Sequence, residues 1–206
     1  MKKIETLYLS TTEKEFNRKF KKRLRINASV NTKVERDVQK IITSIQKQGD
    51  KALLKCIESF DKIKVNNINK IKISKNEISK SYSLVSKTEI SNLKKAIVRI
   101  RKFSKMQLSS SWSYEEHGSL LGEKVTAIES VGLYVPGGKA SYPSTVLMNA
   151  IPAKVAGVKR VIMCSPIDEI DQHALAIVAA DLCEVDEIYK MGGAHAIATL
   201  AYGTDS

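Results

Sequence analysis

Two glycine pairs stand where a polypeptide can hold an anion: Gly137-Gly138 in VGLYVPGGKASYP and Gly192-Gly193 in YKMGGAHAIA. Each pair follows a run of strand formers and precedes a run that reads as helix. Such a pair lets the chain turn sharply and lets a ligand approach backbone that carries no Cβ. The N–H groups and positive dipole end of the following helix then favour a group such as a pyrophosphate. Neither pair has the G-x-G-x-x-G spacing, so the same residues also fit plain tight turns between strand and helix. Two side chains accompany them. Tyr134 sits just before the Val135-Pro136 strand end, where its ring could flank a bound base or nicotinamide, or simply fill a core. His195 opens the last helix, where the dipole disfavours its charged form and leaves a neutral imidazole that can donate, accept or merely cap.

Other candidate chemistry is weaker. His117, His173 and His195 fall in different elements, without H-x-x-x-H or H-E-x-x-H spacing, so the sequence offers no metal site. Cys56, Cys164 and Cys183 are odd in number, lack C-x-x-C spacing and sit inside apolar patterns, which predicts buried thiols rather than disulfides or ligands.

The elements that must position these residues follow from periodicity. VGLYVP, RVIMCSP and DEIYKM read as strands, alternating with helices over residues 143–157, 172–183 and 194–202. Strands separated by helices of this length imply right-handed crossovers and a mainly parallel sheet, with ligands at the carboxyl ends of its strands. Those ends are Pro136-Gly137-Gly138, Ser165-Pro166 and Met191-Gly192-Gly193. Pro152 should kink the first helix or begin a new segment.

Upstream the chain reads as mostly helical. Val34, Val38, Ile41, Ile42 and Ile45 recur at helical spacing behind an Asn31/Thr32 cap, and Gly49 marks a stop. Asp50 then caps a helix whose apolar face is Leu53, Leu54, Ile57 and Phe60. A short strand at IKI leads into Ser74, with Glu77 three residues on as a capping box. A helix over residues 87–105 carries Ile90, Leu93, Ile97, Ile100 and Phe103 on one face. Loop and strand material follows, with a turn at His117-Gly118.

The composition, 43% hydrophobic and 27% charged over 206 residues, is in the range of globular proteins. No apolar run reaches the length of a membrane helix. The opening stretch MKKIETLYLSTTEKEFNRKFKKRLR lacks a signal-type apolar core and carries Glu5, Glu13 and Glu15, which makes the cytoplasm the expected compartment. The net charge of +12 is uneven: residues 1–125 hold 29 Lys/Arg against 13 Asp/Glu, and residues 126–206 hold 5 against 9. Acids run throughout the basic half, so solvated lysine-rich helix faces account for it more simply than a nucleic-acid partner. The asymmetry supports two regions, 1–127 mostly helical and 128–206 of βαβαβα type.

Longer strings carry a family resemblance. SVGLYVPGGKASYPSTVLMNAIPAKVAGVKRVIMCSP and VDEIYKMGGAHAIATLAYGTDS closely resemble the histidinol dehydrogenases, and QGDKALLKCIESFD, LKKAIVRIRKFSKMQL and WSYEE agree in order and type. The resemblance implies an α/β chain: a helical, basic N-terminal region, then an incomplete Rossmann-like doubly wound parallel sheet. It implies NAD-dependent oxidation of L-histidinol to L-histidine through the aldehyde, the last step of histidine biosynthesis, with zinc holding the substrate, in a homodimer. It carries Tyr134 over as an NAD contact, and likewise His195, which stands where the family's usual Gly-Gly-Ala-Gln-Ala-Ile-Ala string has glutamine. An imidazole can make one of the amide's hydrogen bonds but not both. The family's zinc ligands and its Glu-His acid–base pair have no matching positions in residues 1–206, so the resemblance casts this chain as an N-terminal half without catalytic machinery of its own. The alternative is an inactive remnant serving as a nucleotide-binding or interaction module.

Overall fold

A computed structural model describes residues 8–28, 32–137 and 141–205. The expectations placed on Asn31 and Gly138 lie outside the described residues. The chain divides into two units, Met1–Lys40 and Ile41–Ser206. The first holds helix α1 (Phe16–Ala28), in which Phe16 stacks on Phe20, and the start of α2 (Thr32–Cys56).

The second unit begins within α2. The helical rise continues past residue 49 only through a break: Gly49 takes φ 50 and ψ −130, a conformation open to glycine and costly for residues with a Cβ. The sequence thus correctly places a stop at Gly49, while Oδ1 of Asp50, expected to cap the next stretch, is buried without a hydrogen-bond partner among the described residues. A π-helical turn, Ile57–Asp61, and a 3-10 turn, Ile68–Ile71, complete this stretch. Helix α3 (Lys75–Leu84) starts from Ser74, and α4 (Lys87–Lys105) from Ser86. In each, the serine hydroxyl accepts the N–H of a glutamate three residues on, and that glutamate returns to the serine N–H. Two orphan donors are satisfied at once. Strands β1 (Trp112–Glu116) and β2 (Ser119–Glu123) form an antiparallel hairpin around His117-Gly118.

The sheet that positions the candidate residues has three parallel strands in the order β3 (Ser130–Tyr134), β4 (Arg160–Ser165), β5 (Glu187–Lys190). Helices α5 (Pro143–Val155) and α6 (Ile170–Leu182) make the two crossovers, and α7 (Gly193–Tyr202) follows β5. Leu133, Val161, Met163 and Ile188 point into one core with Val146, Ile151 and Ile177 of α5 and α6. Successive right-handed crossovers moving one way across a sheet place their helices on one face in this manner. Behind these helices lies a further layer, α3 against α6 and α4 against α5. Alternate strand positions serve the opposite face: Tyr134, Cys164 and Tyr189 pack with Leu53, Ile57, Ile68, Ile71 and Ala196. There α7 crosses back over β3, with Leu200 seated against Gly132. Side chains alternating between two buried faces are what the apolar strand runs required.

Two local expectations change. Helix α5 runs through Pro152 to Val155. Pro152 lies in its last turn, so only the bond to the Met148 carbonyl is lost, and Met148 is exposed to water. The strand expected at IKI is a single bridge, Lys72 to Tyr189, with the Ile73 N–H donating to the Ile188 carbonyl at 2.8 Å; Ser74 turns the chain into α3 before a ladder can form.

Candidate functional site

The strand ends predicted to gather at one edge do so around Pro166. A Cβ on Gly137 would come within 2.4 Å of the Pro166 carbonyl oxygen, and one on Gly192 within 2.7 Å of the Pro166 ring. Gly137 follows β3, Pro166 follows β4 and Gly192 follows β5, so the residue after the central strand is gripped by glycine turns from both neighbours. The glycines are required here by close approach of protein to protein. Pro166 fills part of the space that the sequence reading left to a ligand.

Tyr134 and His195 are brought to the same turn. The Gly193 N–H donates to the Tyr134 hydroxyl at 3.1 Å, tying the end of β3 to the start of α7. Tyr134 is half-buried, its ring against the core of the α7 face. His195 is almost wholly enclosed, at 1% exposure, and its Nε2 lies 2.7 Å from Oδ2 of Asp61. The Phe60 ring stacks over the imidazole, centroids 5.6 Å apart and planes 19° from parallel. The second Asp61 oxygen, Oδ1, accepts the Gly192 N–H at 3.0 Å. The first two N–H groups of the turn are therefore already partnered, by Asp61 and by Tyr134. A carboxylate sits where the α7 dipole favours negative charge. His195 meets the protein through its ring.

Two cavities open on this edge. One, of about 250 Å3, is lined by Phe60, Asp61, Gly137, Pro166, Asp168 and Lys190 among others. The other, of about 260 Å3, is lined by Phe60, Asp61, Pro166, Gly192, Gly193 and His195 among others. They share Phe60, Asp61 and Pro166. Their polar groups are held in place. Lys190 Nζ lies 2.9 Å from Glu77 Oε1; burial pushes the Glu77 carboxyl up, but hydrogen bonds from Ser74 and Lys190 outweigh it and hold it below the usual range. Asp168 accepts the Glu169 N–H and lies 3.1 Å from Nε2 of buried His173, and the Glu169 bond does most to keep its carboxyl low.

Sequence reasoning missed Asp61 and mistook Phe60, which it placed on an apolar helix face; 59% of Phe60 is exposed, and it stacks on His195. The available signal was an acid directly after an apolar helix end, and nothing in it points to a partner 134 positions away. His117 sits in the β1–β2 turn, which joins strands of the other sheet. Of the thiols, Cys164 and Cys183 are buried as expected and Cys56 is half-buried.

The Gly192 and Gly193 N–H groups along this edge are taken by Asp61 and Tyr134, and the open space beside them is the two cavities. For zinc the residues do not fit: among the described residues no three His, Cys, Asp or Glu side chains come together as a metal-binding group. Among the same residues, no helix is long and apolar enough to cross a membrane.

Comparison with known proteins adds a family. Residues 24–206 match the family model described as histidinol dehydrogenase. The histidinol dehydrogenase of Nitrosomonas europaea is 43% identical over 202 residues, which cover 98% of this chain and 47% of that protein. That of Wolinella succinogenes is 42% identical, covering 100% of this chain and 48% of its own length. A crystal structure of histidinol dehydrogenase from Elizabethkingia anophelis superposes with a TM-score of 0.76 at 33% identity, covering 84% of this chain and 40% of that one. The chain spans about half the length of the curated relatives it matches.

Proposed function

Because the chain belongs to the histidinol dehydrogenase family, we propose that it forms the NAD side of an enzyme that oxidises L-histidinol to L-histidine through the aldehyde. The observation that carries this reading is the meeting of Tyr134 and His195 at the Gly192-Gly193 turn, beside a cavity at the carboxyl edge of a parallel sheet. The family suggests the reaction, and the geometry suggests where on this chain the cofactor lies.

NAD, when bound, accepts a hydride at its nicotinamide ring. The residues of this chain bind and orient. The Tyr134 hydroxyl, held by the Gly193 N–H at the end of β3, is the part of this residue that reaches the turn beside the cavity, its ring packing on the α7-side core. Phe60, Asp61 and Pro166 line both cavities. His195 acts from beneath the surface by holding the start of α7. A hydride transfer needs donor and acceptor carbons held close and aligned, and preset walls of this kind supply the alignment.

Removal of the substrate's protons requires a base. In this reading the acid–base pair, the zinc ligands and the substrate contacts come from polypeptide outside residues 1–206, whether a continuation of the chain or a second one, and two copies associate as in the family. The test is NADH formation from L-histidinol. The 206-residue chain alone is expected to give none, and addition of the C-terminal half of a relative's enzyme, with zinc, is expected to restore turnover. Turnover by the chain alone would contradict the division of labour.

A further inference from the structure

We propose that Asp61 is the positioning residue of this site, fixing the Gly192–His195 turn in advance of any ligand; the inference rests on the NAD reading above for its consequence, though not for its geometry. Asp61 closes the Ile57–Asp61 turn, and Lys62 directly after it adopts a left-handed conformation, φ 62 and ψ 21, which swings the chain away and leaves the carboxylate facing α7. Both oxygens are committed to that element, Oδ1 to the Gly192 N–H at 3.0 Å and Oδ2 to His195 Nε2 at 2.7 Å. One side chain thereby sets the position of the residue before α7 and the rotamer of a residue in its first turn. The side chain of His195 is 2% exposed and that of Asp61 is 9% exposed. Water therefore does not compete for either bond. The adjacent Phe60 stacks on the imidazole face.

Gly193 lies between the two anchored residues, at φ 69, and its N–H is the donor to the Tyr134 hydroxyl. The chain of control therefore runs from Asp61 through Gly192 and His195 to Gly193, and from Gly193 to Tyr134. Asp61 reaches the ring expected to meet the cofactor through other residues. Without the carboxylate, a buried imidazole and a buried N–H lose their partners together, and the turn must open to hydrate them.

The test uses the whole 206-residue chain and two variants, Asp61→Ala and Asp61→Asn. Amide hydrogen exchange is followed at Gly192 and Gly193, with Val161 and Met163 of β4 as internal reference, and NAD affinity is measured by titration. For Asp61→Ala, exchange at Gly192 and Gly193 rises at least tenfold while β4 stays within threefold, and NAD affinity falls at least tenfold. Asp61→Asn keeps an oxygen for Gly192 and an amide for the imidazole, so it holds both quantities within threefold of the parent. The proposal is overturned if Asp61→Ala leaves the turn as protected as the parent, or if β4 loosens with it, which would make Asp61 a general stability residue. If the parent binds no NAD, the cofactor reading falls, and the exchange ratio between the turn and β4 still decides the role of Asp61.

Discussion

His195 Nε2 lies 2.7 Å from Asp61 Oδ2 across 134 positions of sequence, and the pair is closed off from water by its own neighbours. Replacing His195 by alanine removes one partner of a buried carboxylate and the ring that Phe60 stacks on. The expected cost is about 2–3 kcal/mol in urea unfolding. His195→Gln keeps a hydrogen-bonding side chain at this position. Its amide can donate to Asp61 at the same place, so the cost should stay below about 1 kcal/mol. Equal losses for the two variants would show that the hydrogen bond to Asp61 does not matter.

Pro166 sets the second prediction. Alanine at Gly137 would press a methyl against the Pro166 carbonyl, and alanine at Gly192 would press one against its ring. Neither neighbour is the loose end of a flexible side chain, so backbone must shift, at about 1–3 kcal/mol each. Thermal unfolding of Gly137→Ala and Gly192→Ala reads this directly. Gains in stability at either position would mean that the glycines serve a ligand rather than Pro166.

Acid should reveal Glu187. The hydrogen bond from Lys72 does most to lower its carboxyl, which falls to about 2 from an ordinary value near 4.5. Tyr189 and Arg160 add to the effect against the opposing push of burial. A folded-state value below the unfolded one means stability that is complete above pH 4.5 and is lost as pH falls toward 2. Glu187 is 17% exposed, but Lys72 and Arg160 are 40% and 58% exposed. Screening by water therefore trims the contribution to about 2 kcal/mol. The Glu187→Gln variant should unfold more easily by that amount at pH 7, with the gap closing as the carboxyl protonates. A gap independent of pH would rule out the charge as its source.

The thiols give a chemical check. Burial pushes Cys164 up to about 12 and Cys183 up to about 11, and it raises the half-buried Cys56 as well. Only thiolates react with disulfide reagents at useful rates. In the native chain at pH 8, Cys56 should react first and the other two only in denaturant. Rapid labelling of all three would indicate that the cores on both faces of the sheet open easily.

Most of the sheet was legible because its signals are local. The alternation of VGLYVP, RVIMCSP and DEIYKM with helical stretches announces parallel strands with helices packed on the sheet, and Ser74 with Glu77 announces its helix within a single turn. Gly49 was readable as a stop for the same reason. The site was legible by halves. Sequence could place Tyr134 and His195 at strand and helix ends, but the partner of His195 comes from a distant turn, and no spacing rule joins residues 61 and 195. Nor could it say that Pro166 would occupy the space between the glycine turns, because that depends on how closely three strand ends approach. Pro152 was over-read: a proline in the last turn of a helix costs one bond, and the helix absorbs it.

The central claim is that NAD binds at the carboxyl edge of the sheet, against Tyr134. Its most direct test is titration of NAD into the isotopically labelled 206-residue chain, following backbone amides by NMR, with Tyr134→Ala alongside. The account predicts saturable shifts confined to Tyr134, Gly137 and the Gly192–His195 turn, and at least a tenfold loss of affinity in the variant. Saturable binding that bypasses these amides, or no binding at all, would contradict it.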